Sequence, residues 1–282
     1  MRSTAIFTVL FILLTLAGCD EPTELELRQT PPRIVIEALV TDQPGYQYVK
    51  VTRTTDFYSI GKTPRITDAI VTITDDDGTT YDFVHNPNGA TDSLGIYLPV
   101  SPLTGVVGKT YSLRVEVEGE LYEASDKLLP VTNIDSLKYA ENELEKEDPE
   151  EAGKYYELLL YAREPRNEAN YYLFKYYRND TLIHRFDTDI YFSDDALFGE
   201  VIDALPSPVF FGMGDRARLE VFSLTRRGFI FFNDLYTVLS SDTGGMFGPI
   251  PAPPRNNLSN GALGFFQVSA VVKKEIVIGD GE

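Results

Sequence analysis

Two fragments, Gly61-Lys62-Thr63 and Gly108-Lys109-Thr110, carry the residue types that hold a nucleotide phosphate. A phosphate-binding loop also needs a glycine five positions before the second glycine. Asp56 and Leu103 stand there, and both fragments fall among strand and turn patterns, so nucleotide binding is not expected. The histidines, His85 and His184, lie in what read as different domains, and a single histidine is a poor start for a metal site. No G-x-S-x-G marks a nucleophilic serine. The 43 acidic residues could supply a carboxylate pair for glycoside cleavage, but no pair stands out. Asp75-Asp76-Asp77 reads as a hairpin turn before it reads as a cation site. The stretch ENELEKEDPEEAGK (141–154) reads as a solvated hairpin tip, because its adjacent glutamates lack the spacing of a calcium loop. No cofactor, no metal and no enzymatic activity are expected; a hydrolase is the least favoured reading.

The chain has one cysteine, Cys19. Before it stand Arg2 and the uncharged run AIFTVLFILLTL (5–16), too short to span a bilayer but of the length of a signal-peptide core. Leu16-Ala17-Gly18-Cys19 resembles the lipobox of bacterial lipoproteins. That resemblance implies that a diacylglycerol is attached to the Cys19 sulfur, that residues 1–18 are removed and that the new amino group is acylated. Two or three acyl chains give durable attachment, since each buried methylene contributes about 0.8 kcal/mol. Asp20 and Glu21 open an acidic, proline-bounded tether (19–32). In some bacterial lipoproteins an aspartate here means retention at the inner membrane, whereas in bacteria with Sus-type uptake systems an acidic start of this kind resembles a surface-export signal; the favoured location is the outer membrane, on its outward face.

The formal net charge is −18, and loss of Arg2 with the leader makes the remainder one unit more acidic. Such a chain lacks the basic surface that nucleic-acid binding relies on. It would also be repelled by anionic lipid, which leaves membrane attachment to the anchor. A single cysteine permits no internal disulfide, so stability must come from burial. The 17 tyrosines and 17 phenylalanines favour strands.

Residues 33–130 read as an immunoglobulin-like or fibronectin-like β-sandwich: short alternating runs such as RIVIEALV (33–40), AIVTIT (69–74) and TYDFVH (80–85) are separated by turns. Asp77-Gly78 and Glu118-Gly119 mark hairpins. Residues 131–282 read as a second β-rich domain, barrel-like or a curved sheet. Its run NYYLFKYYRND (170–180) puts Tyr171, Leu173, Lys175 and Tyr177 on one face and Tyr172, Phe174, Tyr176 and Arg178 on the other; aromatics on both faces suit a sheet covered on both sides, or one packed on one side and used for binding on the other. Phe231, Leu235 and Leu239, with Phe232 and Tyr236 beside them, predict one amphipathic helix near 226–241 capped by Thr225. A proline-rich loop (244–261) follows, and ALGFFQVSAVVKKEIVI (262–278) reads as a closing strand of the second domain.

The start of the sandwich, RIVIEALVTDQPGYQYVKVTRTTDF, and the late segment PRNNLSNGALGFFQVSAV resemble the domain of unknown function 4249 family of bacterial outer-membrane lipoproteins. The resemblance implies an accessory role beside a TonB-dependent, Sus-type transporter in nutrient uptake; the alternative is a surface interaction or adhesion lipoprotein without a transport role. Aromatic surface gives contact area at low entropy cost. The expected contact residues are therefore Tyr171, Tyr172, Tyr176 and Tyr177, with Met246, Phe247 and Arg255 of the proline-rich loop. The ligand, small or oligomeric, is left open.

Overall fold

Alternation in the sequence becomes alternation of burial in the first seven strands. These are β1 (Ile34–Thr41), β2 (Tyr48–Arg53), β3 (Ile70–Asp75), β4 (Thr80–His85), β5 (Ile96–Pro99), β6 (Thr110–Val117) and β7 (Glu120–Lys127). In β6 the inward positions Tyr111, Leu113, Val115 and Val117 are buried while Ser112 and Arg114 face out. The computed structural model describes residues 31–55, 63–163, 169–195, 201–241 and 252–279. Both expected hairpins form. Between β6 and β7, Glu118 and Gly119 take φ of 53° and 83°, a two-residue turn whose twist matches that of the strands.

These strands share one eight-stranded sheet, in the order β15-β1-β2-β5-β4-β3-β6-β7, where β15 spans Leu263–Ser269. The sheet rolls over on itself until its edges, β7 and β15, are neighbours. The sandwich is thus one nearly closed barrel-like sheet around a single core that includes Ile36, Val51, Ile73, Val115, Leu128 and Phe266. Between β7 and β15 side chains take the place of a ladder. The Asn257 amide donates to the Phe266 carbonyl (2.8 Å) and accepts from the Phe266 N–H (3.0 Å). Ser259 exchanges bonds with the backbone of Glu123, and the Asp126 carboxylate accepts from the Val268 N–H (3.1 Å). The turn of Asn260 and Gly261, both at positive φ, lets this segment double back into β15.

The rest of the chain builds two further sheets. One has the order β13-β9-β8, from β8 (Ile134–Glu141), β9 (Tyr156–Arg163) and β13 (Val201–Phe211). The other has the order β11-β10-β14-β16, from β10 (Tyr171–Arg178), β11 (Thr181–Leu182), β14 (Arg216–Leu224) and β16 (Val271–Val277); β12 (Tyr191–Asp194) also pairs with β10. They enclose a second core that includes Leu158, Leu160, Phe174, Phe211, Leu219 and Val221. The outer face of this five-stranded sheet is covered too, by α2 (Arg226–Ser240) and by Leu39, Tyr46 and Tyr48 from β1, β2 and the turn between them.

The acidic stretch after β8 is the largely exposed tip of the β8–β9 hairpin, as expected, and within it the Asn142 side chain caps a short helix, α1 (Glu143–Glu147), by accepting from the Glu145 N–H. Two expectations are corrected. In α2 the cap at Thr225 forms as expected, but Leu239 is exposed; the buried side holds Gly228 and Phe231, with Phe231 stacked on Phe265 at 4.9 Å. Residues 262–278 are two strands: β15 belongs to the barrel and β16 to the second part, with Ala270 between them. Leu263, Phe265 and Phe266 therefore join the barrel side.

Two measurements test this architecture. Gly264 pairs with Ile36 at φ +98°, where an added Cβ would lie 2.0 Å from the Ile36 carbonyl oxygen. Gly264→Ala should lower unfolding free energy by on the order of 3 kcal/mol in urea titration; an unchanged midpoint would refute the close approach. Burial raises the Asp126 carboxyl to about 6, against the bonds from Thr225 and Val268. A folded-state pKa above the unfolded one favours folding only while the group is protonated, so this contribution fades as pH rises through the window between the two values. Relative to wild type, Asp126→Asn should gain about 2 kcal/mol between pH 4 and pH 7.5, apart from any constant offset; parallel pH profiles would contradict it.

Candidate functional site

Register on the outer face of the five-stranded sheet sets out three cross-strand rows, each drawn from β10, β14 and β16. They are Leu173–Phe222–Val271, Lys175–Glu220–Lys273 and Tyr177–Arg218–Glu275. Residues directly opposite share a face and pack together. The apolar row lies in the small core under α2. The next two rows are charged, and the outer face of β1 and β2 leans over them with Glu37, Tyr48 and Lys50, joined by Tyr46 from the turn.

Contacts across this seam are specific. The Tyr46 hydroxyl donates to Glu220 Oε1 at 2.8 Å, and Arg218 Nε lies 3.2 Å from the same oxygen. Tyr48 donates to Glu37 Oε1 at 2.6 Å, and Lys50 pairs with Glu37 Oε2 at 3.0 Å. The Arg218 guanidinium stands 4.3 Å above the Tyr177 ring, and Lys175 Nζ 4.7 Å from the Phe222 ring. Glu220 is only 1 % exposed, yet its Oε2 has no hydrogen-bond partner. Lys175 makes no hydrogen bond or ion pair among the described residues.

The electrostatics follow from burial. Burial and the bond to Glu220 push the Tyr46 phenol up to about 12, while burial and the Glu37 carboxylate push Tyr48 still higher. Burial and the Glu220 charge likewise raise Tyr177. All three are neutral hydroxyls at physiological pH. Burial lowers the Lys175 ammonium, although Glu220 and Glu37 pull the other way. The seam offers an unpaired acceptor, an unpaired donor and aromatic faces, a combination suited to recognising a polar group.

The expected contact residues divide sharply. Tyr177 belongs to this seam. Tyr171 lies half-buried under α2, its ring 5.0 Å from Phe229. Tyr172 and Tyr176 are corrected: at 2 % and 6 % exposed they pack in the second core, where Tyr172 bonds to the Thr132 hydroxyl (2.7 Å) and Tyr176 meets Tyr191 edge-on. Arg255 is exposed, but it forks onto Asp234 of α2 at 2.7 and 2.8 Å, which makes it a strut for the loop. Cys19, Met246 and Phe247 lie outside the described residues. Sequence reasoning missed Glu37, Tyr46, Tyr48, Arg218, Glu220 and Lys273; the available signal was Lys175, a lone charge inside an aromatic strand.

The other chemical candidates have structural roles. His85 Nε2 accepts from the Gly95 N–H at 3.0 Å. In the triple-aspartate turn the Lys109 ammonium pairs with Asp75 (2.9 Å) and with Asp77, taking the position a cation would hold. Among the described residues no group of three or more His, Cys, Asp or Glu is placed to hold a metal.

A family model described as a domain of unknown function, DUF4249, matches residues 20–275. No curated protein matches the chain.

The sign of the Lys175 effect is testable. A lysine whose folded pKa is lowered is a burden while it is charged, and the burden is relieved as pH rises from that folded value toward 10.5. Lys175→Met should therefore be more stable relative to wild type at pH 7 than at pH 10.5, as read by thermal melts. A gain that grows with pH would refute the assignment.

Proposed function

The chain belongs to the DUF4249 family, and on that premise we propose that it is a non-enzymatic lipoprotein of the outer membrane. It faces outward and serves a TonB-dependent transporter as an accessory binding partner. The observation that carries the anchor is the leader: an uncharged run of residues 5–16 ends in Leu16-Ala17-Gly18-Cys19, and the family match begins at the next residue, 20. Among the described residues no helix is long and apolar enough to cross a membrane, which is compatible with attachment through acyl chains. The partnership with a transporter is supported by the family resemblance, and a ligand-holding role by the unpaired Glu220 and Lys175 groups in the seam.

Cys19→Ser tests the anchor. The variant should leave the outer-membrane fraction, remain uncut and take up no labelled palmitate; firm membrane attachment of unlipidated material would refute the lipoprotein reading. Crosslinking on intact cells tests the partnership. A transporter barrel should be captured with the wild-type chain, whereas repeated recovery of the chain alone would favour a surface interaction role without transport.

A further inference from the structure

Several cations of this acidic chain meet carboxylates, among them Lys50, Arg53, Lys109, Lys154, Arg178, Arg218 and Arg255. Lys127, at the end of β7, and Arg226 and Arg227, in the first turn of α2, do not, and they converge on one place. They line one groove of about 500 Å³ together with Thr110, Ser125 and Ile230. None of the three makes an ion pair among the described residues. The two arginines also stand where the helix dipole disfavours positive charge, with no acidic residue in that turn to offset them. Local rules broken without compensation concentrate at functional sites.

The single carboxylate of the groove does not neutralise it. Asp126 is 7 % exposed, and its oxygens are taken by the Thr225 hydroxyl (2.9 Å) and the Val268 N–H (3.1 Å). A positive balance therefore faces the groove. Two guanidinium forks and an ammonium match a dianion with several acceptor oxygens. The volume exceeds that of a bare ion and leaves room for an organic body, against which Thr110 and Ser125 offer hydroxyls and Ile230 an apolar wall.

We propose that the groove between β7 and α2 is a binding site for a phosphate monoester. This site is separate from the seam and does not rest on the transporter reading. The same headgroup chemistry occurs in a soluble metabolite and in a lipid, and one experiment separates them. The full-length lipidated chain in neutral detergent is titrated calorimetrically with glycerol 3-phosphate and, in parallel, with mixed micelles containing phosphatidic acid. Saturable binding is expected in at least one arm: the soluble arm alone assigns a free ester, the micelle arm alone a lipid headgroup, and both arms the phosphate group itself. Arg226→Gln/Arg227→Gln should weaken it about tenfold or more, and Lys127→Gln should weaken it in the same direction. The double variant should melt no lower than wild type, because it removes cations from the unfavourable end of the helix. Absence of saturable binding in both arms, affinity left within about twofold by the double variant, or equal binding of sulfate would overturn the assignment.

Discussion

Ala270 is where two cores share one strand. Before it, β15 lies parallel to β1 in the barrel; after it, β16 lies antiparallel to β14 in the second part. The crossing is fixed by hydrogen bonds that few other placements could satisfy. Ser223 donates its hydroxyl to the Leu129 carbonyl and accepts from the Ala270 N–H, while the Ala270 carbonyl accepts from the Ser223 N–H. The Val271 N–H is taken by Asp42 at 2.9 Å. Ser223 and Ser269 are both essentially inaccessible to solvent, and leaving such buried polar groups unpaired would cost roughly 1–3 kcal/mol each. The network therefore specifies the register on both sides at once. The barrel wall, the five-stranded sheet and the start of α2 inherit their positions from it.

That constraint explains why the five-stranded sheet is used on both faces. Its inner face meets the sheet of β8, β9 and β13, while its outer face is drawn beneath β1 and β2 by the shared strand. Along the outer face the rows pass from Leu173–Phe222–Val271 to Lys175–Glu220–Lys273, so an apolar floor gives way to buried charge within one step of the pleat. Charges so placed are costly unless matched. Tyr46 and Arg218 match one oxygen of Glu220 and leave the other open, which is why the seam has the character of a site rather than of simple packing.

Much of this was legible in the residues. Asp77-Gly78 and Glu118-Gly119 located hairpins because their turns need positive φ, and the double-faced aromatic pattern of β10 allowed a sheet covered on both sides, which is the one of its two readings that forms. The Asn256 and Asn257 amides serve backbone groups in an irregular turn, as this residue type does at such places. Other features were not legible, for physical reasons. When both faces of a strand are apolar, periodicity separates Tyr176 from Tyr177 but does not say which side retains solvent. No glycine or proline marks Ala270, so a strand that changes partners there looks continuous. Glu37, Glu220 and Lys175 are distant in sequence, and only the pairing of β1 with β15 and of β14 with β16 brings them together.

The pairing of β1 with β15 also sets the order in which the molecule can be completed. The contact between Arg33 and Gly261 spans 228 residues, and the parallel ladder beside it joins the first strand to the next-to-last. A ribosome delivers β1 through β7 long before it delivers their remaining wall, so the nascent barrel waits with one flank of β1 unpaired. Non-local closure of this kind slows folding and leaves strand edges open to wrong partners. A chain released before residue 263 would keep every hairpin of the barrel and still lack the strand that shuts it. Such a fragment is expected to be a substrate for chaperones and proteases.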